Sequence, residues 1–164
     1  MRERDRVSIR RRAMKIFFKA MLAGYAGDGS GVKKEKTPDG YRTLTWPPEG
    51  DSDGFVVVDR YCVTPQSAMS AGTTTIFFRG EPIWWMSYGG EYSPLAITTL
   101  KMALAEAYKD GDFCGGRGHA HRFPCFEYRN DHYGNFVSFN GRETVRDPRG
   151  NELGYHRYFG MSLI

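Results

Sequence analysis

The densest cluster of reactive side chains lies between Cys114 and Cys125, where two thiols flank two imidazoles. His119 and His121 are two residues apart, so an extended segment would turn both rings to one face. Zinc prefers cysteine and histidine ligands, and a thiol beside a histidine base can act as a nucleophile. The spacing matches neither a zinc finger nor a helical metalloprotease motif. The sequence favours a turn-rich surface loop, leaves a metal- or thiol-dependent enzyme open, and assigns no metal ligand.

Aromatic residues on one predicted strand form a second candidate. Trp84, Met86 and Tyr88 alternate and therefore share a face, whereas Trp85 points to the other face. Exposed aromatic rings beside an arginine would form a stacking surface for a planar or sugar ligand. The opposing interpretation, in which two helices bury both tryptophans, is favoured because aromatic stripes more often belong to a core.

Carboxylates give a weaker signal. They are scattered over predicted strands and turns, so their spacing does not compel a general acid and base pair. The carboxylates in question are Asp59, Glu81, Glu91, Glu127 and Glu143.

Two helices are predicted to position these groups. Apolar residues from Met14 to Tyr25 recur with helical period and predict a helix over about 7–23. Four glycines within residues 24–31 end it, and because they follow a helix they do not form a phosphate-binding loop. Ser93-Pro94 begins a second helix over about 94–109, which Asp110-Gly111 ends.

Strands occupy most of the remaining chain, and they repeat. Gly80, Tyr88 and Gly90 recur as Gly150, Tyr158 and Gly160, each 70 residues later. The pattern predicts two pseudo-repeats, about 54–92 and 123–161, joined by the second helix. Chance similarity between two aromatic hairpins is the alternative. The fold class is therefore α+β, one domain over 1–164 with an antiparallel sheet or sheets of seven to eight strands.

The sequence resembles a bacterial family of uncharacterised domains that occur alone or downstream of an XRE-type helix-turn-helix DNA-binding module. The resemblance spans about residues 14–164 and has its main motif at Pro82-Ile83-Trp84-Trp85-Met86-Ser87-Tyr88-Gly89-Gly90. Further matches lie at 25–27, 58–61, 117–118, 139–145 and 155–160. Family members usually have proline after the arginine-glycine pair, where this chain has His119. The resemblance implies a stand-alone domain and carries no activity, cofactor or site.

Charge and composition limit the classes of binding partner that the sequence predicts. Residues 1–15 carry a net +5 and the remainder about −1, so the basicity is local. A solvated helix start is favoured over a nucleic-acid-binding arm, so nucleic acid is not expected as a partner. No apolar run approaches the roughly 18 residues of a membrane span, so a membrane is not expected either. Three cysteines at wide spacing, with no secretory signal, predict a cytoplasmic location.

A small-molecule binding or sensory module is the favoured function. Its pocket is expected where the two halves meet, because clefts between repeats are common ligand sites. The alternatives are an enzyme that uses the loop from Cys114 to Cys125, and an interaction module that uses the basic N-terminus. An uncovered sheet face would also permit a homodimer, and the sequence assigns no cofactor. The candidate ligand-binding residues are Tyr61, Trp84, Tyr88, Arg117, His119, His121 and Tyr158.

Overall fold

The N-terminal helix is longer than its apolar period predicts. In the computed structural model, which describes residues 2–164, α1 runs over Glu3–Ala23. Its first turn is held by the Asp5 carboxylate, which accepts the backbone N–H of Arg2 at 3.3 Å. The Arg10 guanidinium also donates to Glu3 at 2.9 Å. These contacts between charged side chains extend the helix beyond the apolar stripe, and the first buried residue is Ala13.

The second helix, α2, runs over Pro94–Asp110, and it begins and ends where its terminal residues predict. Ser93 precedes it in an extended conformation, and Pro94 occupies the first turn, where its missing N–H leaves no helical bond unmade. Gly111 ends the helix at φ 73°, in the left-handed region that glycine adopts without steric cost. A buried stripe that includes Leu100, Leu104 and Tyr108 faces the sheet.

All strands belong to one antiparallel sheet of nine, so the α+β class is confirmed and the count is slightly above the predicted seven to eight. The sheet order is β1-β2-β3-β4-β5-β9-β8-β7-β6. The strands are β1 Lys33–Lys36, β2 Arg42–Trp46, β3 Phe55–Val63, β4 Met69–Phe78, β5 Glu81–Tyr92, β6 His121–Arg122, β7 Glu127–Asn135, β8 Ser138–Arg146 and β9 Glu152–Ser162.

The core lies between the two helices and one face of the sheet. Trp84 is fully buried there, and its ring lies 5.2 Å from the Phe17 ring of α1. Trp85 points to the opposite face, where it packs half-buried against Phe159. The interpretation that the helices bury both tryptophans is therefore wrong, because adjacent strand residues face opposite sides and no helix covers the outer side. Neither helix combines the length and apolarity that a membrane crossing requires.

The central strand pair, β5 with β9, joins the two halves. Tyr88 on β5 lies opposite Tyr158 on β9. On the other side of each tyrosine is a glycine, Gly72 on β4 for Tyr88 and Gly141 on β8 for Tyr158. Each tyrosine ring crosses its glycine, and its hydroxyl reaches the next strand, at Asp59 on β3 or at Asn130 on β7. This arrangement is what a duplicated unit would give. The repeat over 54–92 and 123–161, like the single domain over 1–164, stays a prediction.

Candidate ligand-binding site

A cavity of about 230 Å³ lies between the C-terminal end of α1, the start of α2 and one end of the sheet. Four tyrosines line it, namely Tyr25, Tyr61, Tyr88 and Tyr92. Apolar side chains supply a second part of the wall, from Met21, Val63, Ala68 and Ile97. Because Val63 and Ala68 are exposed on the β3–β4 hairpin, the cavity opens to solvent on that side.

Strand alternation explains why polar groups reach this cavity. On β3 the residues Phe55, Val57 and Asp59 are all buried and face the helices, so a carboxylate continues an apolar row. On β9 His156 lies on the same face as Tyr158 for the same reason. The sheet therefore turns ionisable side chains toward the interior, where water is scarce. The polar lining consists of Asp59, Ser70, Arg117 and His156, together with the tyrosine hydroxyls.

Asp59 is buried, with 5% of its surface exposed, and it accepts two hydrogen bonds from neutral hydroxyls. Tyr88 donates at 2.7 Å and Thr74 at 3.0 Å, and both bonds go to Oδ1. Burial raises the pKa of the Asp59 carboxyl above its usual value, although these bonds oppose the shift. Asp59 therefore keeps its proton to a higher pH than an exposed aspartate does.

Arg117 and Glu143 form a buried ion pair at the back of the cavity. Arg117 donates from Nε to Glu143 Oε1 at 2.9 Å, and its Nη2 binds the same oxygen. Tyr128 donates to the other oxygen, Oε2, at 2.5 Å. Burial opposes ionisation of Glu143, but the guanidinium outweighs it and lowers the carboxyl pKa. The pair is therefore charged at neutral pH.

His156 is neutral at neutral pH, because burial and then the Arg117 charge lower its pKa to about 4. Its Nε2 lies 3.2 Å from the Ser70 hydroxyl, and its ring stacks on Tyr88 with centroids 5.6 Å apart. The Nδ1 of His156 is buried and forms no hydrogen bond within residues 2–164, and its nearest acceptor, Glu143 Oε1, lies 3.6 Å away. A buried polar atom without a hydrogen bond is costly in a core that serves stability alone, so this nitrogen helps to mark the cavity as a candidate site.

The family model of a domain of unknown function, DUF5680, matches residues 66–162, which is more than half of the chain. The chain belongs to this family. No curated protein and no solved structure matches the chain.

Residues inside the DUF5680 match and residues that precede it both line the cavity. The matched segment contributes the polar residues Ser70, Arg117 and His156. Asp59 and Tyr61 come from β3, which precedes the matched segment, and Tyr25 comes from the residues after α1. The DUF5680 segment therefore supplies one side of the cavity, and the preceding elements supply the other.

Three of the seven sequence-predicted site residues line this cavity: Tyr61, Tyr88 and Arg117. Trp84 lies in the core instead, where its indole N–H donates to the Phe136 carbonyl at 2.9 Å. Tyr158 is also buried outside the cavity lining, and its hydroxyl donates to Asn130 at 2.5 Å.

The two histidines of the loop from Cys114 to Cys125 lie outside the cavity lining, beside acidic residues of α2 and of the turn that follows it. His119 Nε2 lies 3.6 Å from an Asp112 oxygen, and His121 Nδ1 lies 3.6 Å from a Glu106 oxygen. Burial, with a smaller contribution from Asp112, raises the pKa of the Cys114 thiol, which disfavours the reactive thiolate. Within residues 2–164, no three His, Cys, Asp or Glu side chains converge as a metal site would need.

Sequence reasoning missed several lining residues, namely Met21, Tyr25, Ser70, Tyr92, Ile97 and His156, and gave Asp59 no special place. A signal for Asp59 was present, because it occupies an inward position of the apolar strand Phe55–Val63. His156 carries the same signal, since it alternates with Tyr158 on an aromatic strand. A polar residue in register with a buried row is the feature that identifies both.

Proposed function

We propose that the protein is a small-molecule binding module, with the cavity between the helices and the sheet as its ligand site. The supporting observation is that buried ionisable and unpaired polar groups surround one cavity with tyrosine and aliphatic walls. Burying such groups costs free energy that apolar residues would not cost. A ligand that satisfies them would offset this cost, which is the usual character of small-molecule sites.

The proposal extends to a sensory role in a bacterial cytoplasm. The resemblance described above is to bacterial domains that occur alone or downstream of an XRE-type DNA-binding module. A ligand site that closes between helices and a sheet can report a metabolite to a neighbouring module or partner, because binding selects one arrangement of the walls.

Thermal-shift screening with nucleotides, sugars, amines, carboxylates and other metabolites tests the binding function. A ligand at about 100 times its Kd stabilises the folded state by roughly 2.7 kcal/mol, which raises Tm by several degrees. Ile97→Trp would fill the cavity and abolish the shift, whereas Leu95→Trp on the same helix, 68% exposed, would retain it. Absence of any stabilising compound, or equal shifts in both variants, would contradict the proposal.

Acid–base catalysis at the same cavity is the second candidate function. It is favoured by the shifted pKa values of Asp59 and His156, since such shifts cluster at functional sites. Catalysis requires that a bound compound be consumed. NMR spectra of each stabilising compound, recorded over hours with the protein, would show conversion if this function is present and an unchanged spectrum if the protein only binds.

A further inference from the structure

When Asp59 is ionised, the charged groups around the cavity do not cancel. Among the described side chains that line it, Arg117 is the single lysine or arginine, and its Nε and Nη2 bind Glu143 behind the wall. Asp59 adds a second carboxylate to this one guanidinium. His156 is the remaining nitrogen base in the lining, and it is neutral at neutral pH. Charges interact more strongly away from water, so the ionised Asp59 carboxylate attracts a cation.

One oxygen of Asp59 is left for a ligand. Both hydroxyl donors, Tyr88 and Thr74, bind Oδ1, and Oδ2 accepts no hydrogen bond from residues 2–164. A carboxylate can accept about four hydrogen bonds over its two oxygens. The residue is more than nine-tenths buried, yet it borders the cavity. An N–H donor inside the cavity would therefore complete its hydrogen bonding.

The tyrosine rings add a second attraction for positive charge. The face of an aromatic ring is electronegative and holds a cation within about 6 Å of its centroid. Protein cations already use two of these rings: Arg117 lies 5.7 Å from the Tyr88 ring, and Lys101 lies 4.9 Å from the Tyr25 ring. Tyr61 and Tyr92 also line the cavity. A ligand cation in the cavity would therefore lie near aromatic rings and near the carboxylate of Asp59.

The remaining walls limit the size and polarity of the ligand. Met21, Val63 and Ile97 supply apolar surface suited to a hydrocarbon body. The volume, about 230 Å³, is below the roughly 300–1,000 Å³ that drug-sized ligands need. Nucleotides and oligosaccharides are therefore too large to be enclosed.

We infer that the cavity binds a small organic cation, an amine with an aromatic or aliphatic body, whose ammonium group lies against Asp59 Oδ2 and the tyrosine rings. This inference rests on the ligand-binding function proposed above. Among the compounds small enough to enter the cavity, it selects those that carry a positive charge.

Ligand affinity should depend on pH in one direction. Cation binding requires the ionised carboxylate, and burial raises the pKa of Asp59, so affinity falls as acid protonates it. Protonation of His156 at lower pH adds a positive charge and acts in the same direction. The titratable and charged groups around Asp59 and His156 are Tyr25, Tyr61, Tyr88, Tyr92, Arg117 and Glu143, of which Glu143 has Oε1 3.6 Å from His156 Nδ1 and opposes the lowering of the histidine pKa.

The test compares probes that share a skeleton and differ in charge. Benzylamine, benzyl alcohol and benzoate are titrated by calorimetry and thermal shift, and the series is repeated with cyclohexyl compounds carrying the same three groups. The amines are expected to stabilise the protein and to bind at least about tenfold more tightly than the alcohols. Stronger binding of alcohols or carboxylates, or binding by no amine, would overturn the cation assignment. Hits of another charge class in the wider screen would still leave the binding function standing.

Variants separate charge from shape. Asp59→Asn keeps an oxygen for Tyr88 and Thr74 and should lower amine affinity about tenfold while leaving alcohol affinity unchanged. The control is Glu91→Gln, an exposed carboxylate on β5, which should change neither. Tyr61→Phe keeps the ring and should retain amine binding, whereas Tyr61→Leu should weaken it. Equal amine affinity in Asp59→Asn and the unsubstituted protein would refute the role of Asp59.

Discussion

At the level of single residues, Glu143 on β8 anchors the segment that follows α2 to the sheet. It holds the buried Arg117 guanidinium and accepts a hydrogen bond from Tyr128, whose oxygen in turn accepts the backbone N–H of Gly118 at 2.9 Å. Arg117 and Tyr128 therefore both donate to the Glu143 carboxylate. Arg117 can form a cavity wall only while this carboxylate holds it in place.

Replacement of Glu143 by glutamine should be strongly destabilising. The change leaves the Arg117 charge buried without a counter-ion, and losing one partner of such a pair costs about 3–5 kcal/mol. Urea denaturation measures the loss. The matched control is Glu152→Gln, which breaks the partly exposed pair with Arg142 and should cost at most about 1 kcal/mol. Similar losses in both variants would show that the buried charge is not what Glu143 compensates.

Asp59 should lower stability at neutral pH. Because burial raises its folded-state pKa above the unfolded value, the folded state is favoured most when the carboxyl is protonated, and this contribution is lost as pH rises through the folded pKa. Asp59→Asn removes the titration. We expect the stability advantage of the variant over the unsubstituted protein to grow as the pH rises above the unfolded pKa, about 3.9, and to vanish below it.

Urea unfolding of both proteins at several pH values provides the measurement. The acid loss caused by His156, whose pKa of about 4 lies below the ordinary 6.5, is common to both and cancels in the difference. A stability difference that is flat across the pH range would contradict a raised pKa for Asp59.

At the level of elements, the pairing of β4 with β5 places the Tyr88 ring over the backbone of Gly72. A Cβ at this glycine would lie 2.5 Å from the Tyr88 hydroxyl oxygen and 2.8 Å from the Arg60 carbonyl oxygen. Both distances are too short for real contacts. The missing side chain at Gly72 is therefore what lets Tyr88 reach across a strand to Asp59.

Substitution of Gly72 by alanine should displace Tyr88 and break its bond to Asp59. We expect a loss of about 2–3 kcal/mol in unfolding free energy and loss of ligand stabilisation in the thermal-shift assay. Gly89→Ala on β5 is the control, because its Cβ would meet its nearest atom at an ordinary 3.4 Å. If Gly72→Ala kept its stability and its ligand binding, the Tyr88 ring would have a second position from which it can bind Asp59.

The two helices could be predicted from sequence, and the edge strands could not. Helix α2 has proline at its start, glycine at its end and a continuous apolar stripe, so local chemistry and packing agree. Strands β1 and β2 lack such agreement. β1 is Lys33–Lys36, entirely exposed, and it forms because it pairs with β2 at the sheet edge. Backbone pairing of a charged segment leaves no apolar period to detect.

The candidate site was predicted in part, for a related reason. Arg117, Tyr61 and Tyr88 reach the cavity, but the neighbouring His119 and His121 turn toward Asp112, after α2, and Glu106, on α2. Nothing in the spacing of that loop fixes which side chains point inward. Regular strands do fix direction, which is why Asp59 and His156 follow from alternation once the strands are known.

At the scale of the whole molecule, the net excess of positive charge lies in the first 15 residues, most of which form the exposed part of α1. The side chains of Arg4, Arg6 and Arg11 are exposed, whereas the residues of α1 that pack into the core begin at Ala13. Changing these three arginines to glutamine should leave stability nearly unchanged, since exposed substitutions typically act within about 0.5 kcal/mol each. The binding of amines should also be unaffected.

Heparin chromatography measures the effect of this change on polyanion affinity. The triple variant should elute at clearly lower salt than the unsubstituted protein, because the charge is clustered. The control changes Arg122, Arg149 and Arg157, which are exposed elsewhere, and should shift elution less. Equal shifts would mean that overall charge, and not its clustering on α1, sets polyanion affinity. Sedimentation analysis of the same samples would test for the homodimer that an uncovered sheet face would permit.

The cavity walls come from two stretches of chain, one inside the family match and one before it. Mutations in these stretches can accumulate independently, because β3 contributes Asp59 without contributing to the Arg117–Glu143 pair. A lineage can thus exchange the recognition carboxylate while keeping the ion pair that holds the opposite wall. If the cavity binds an amine as proposed, the position of Asp59 is the one at which a substitution would change the ligand and leave the Arg117–Glu143 pair intact.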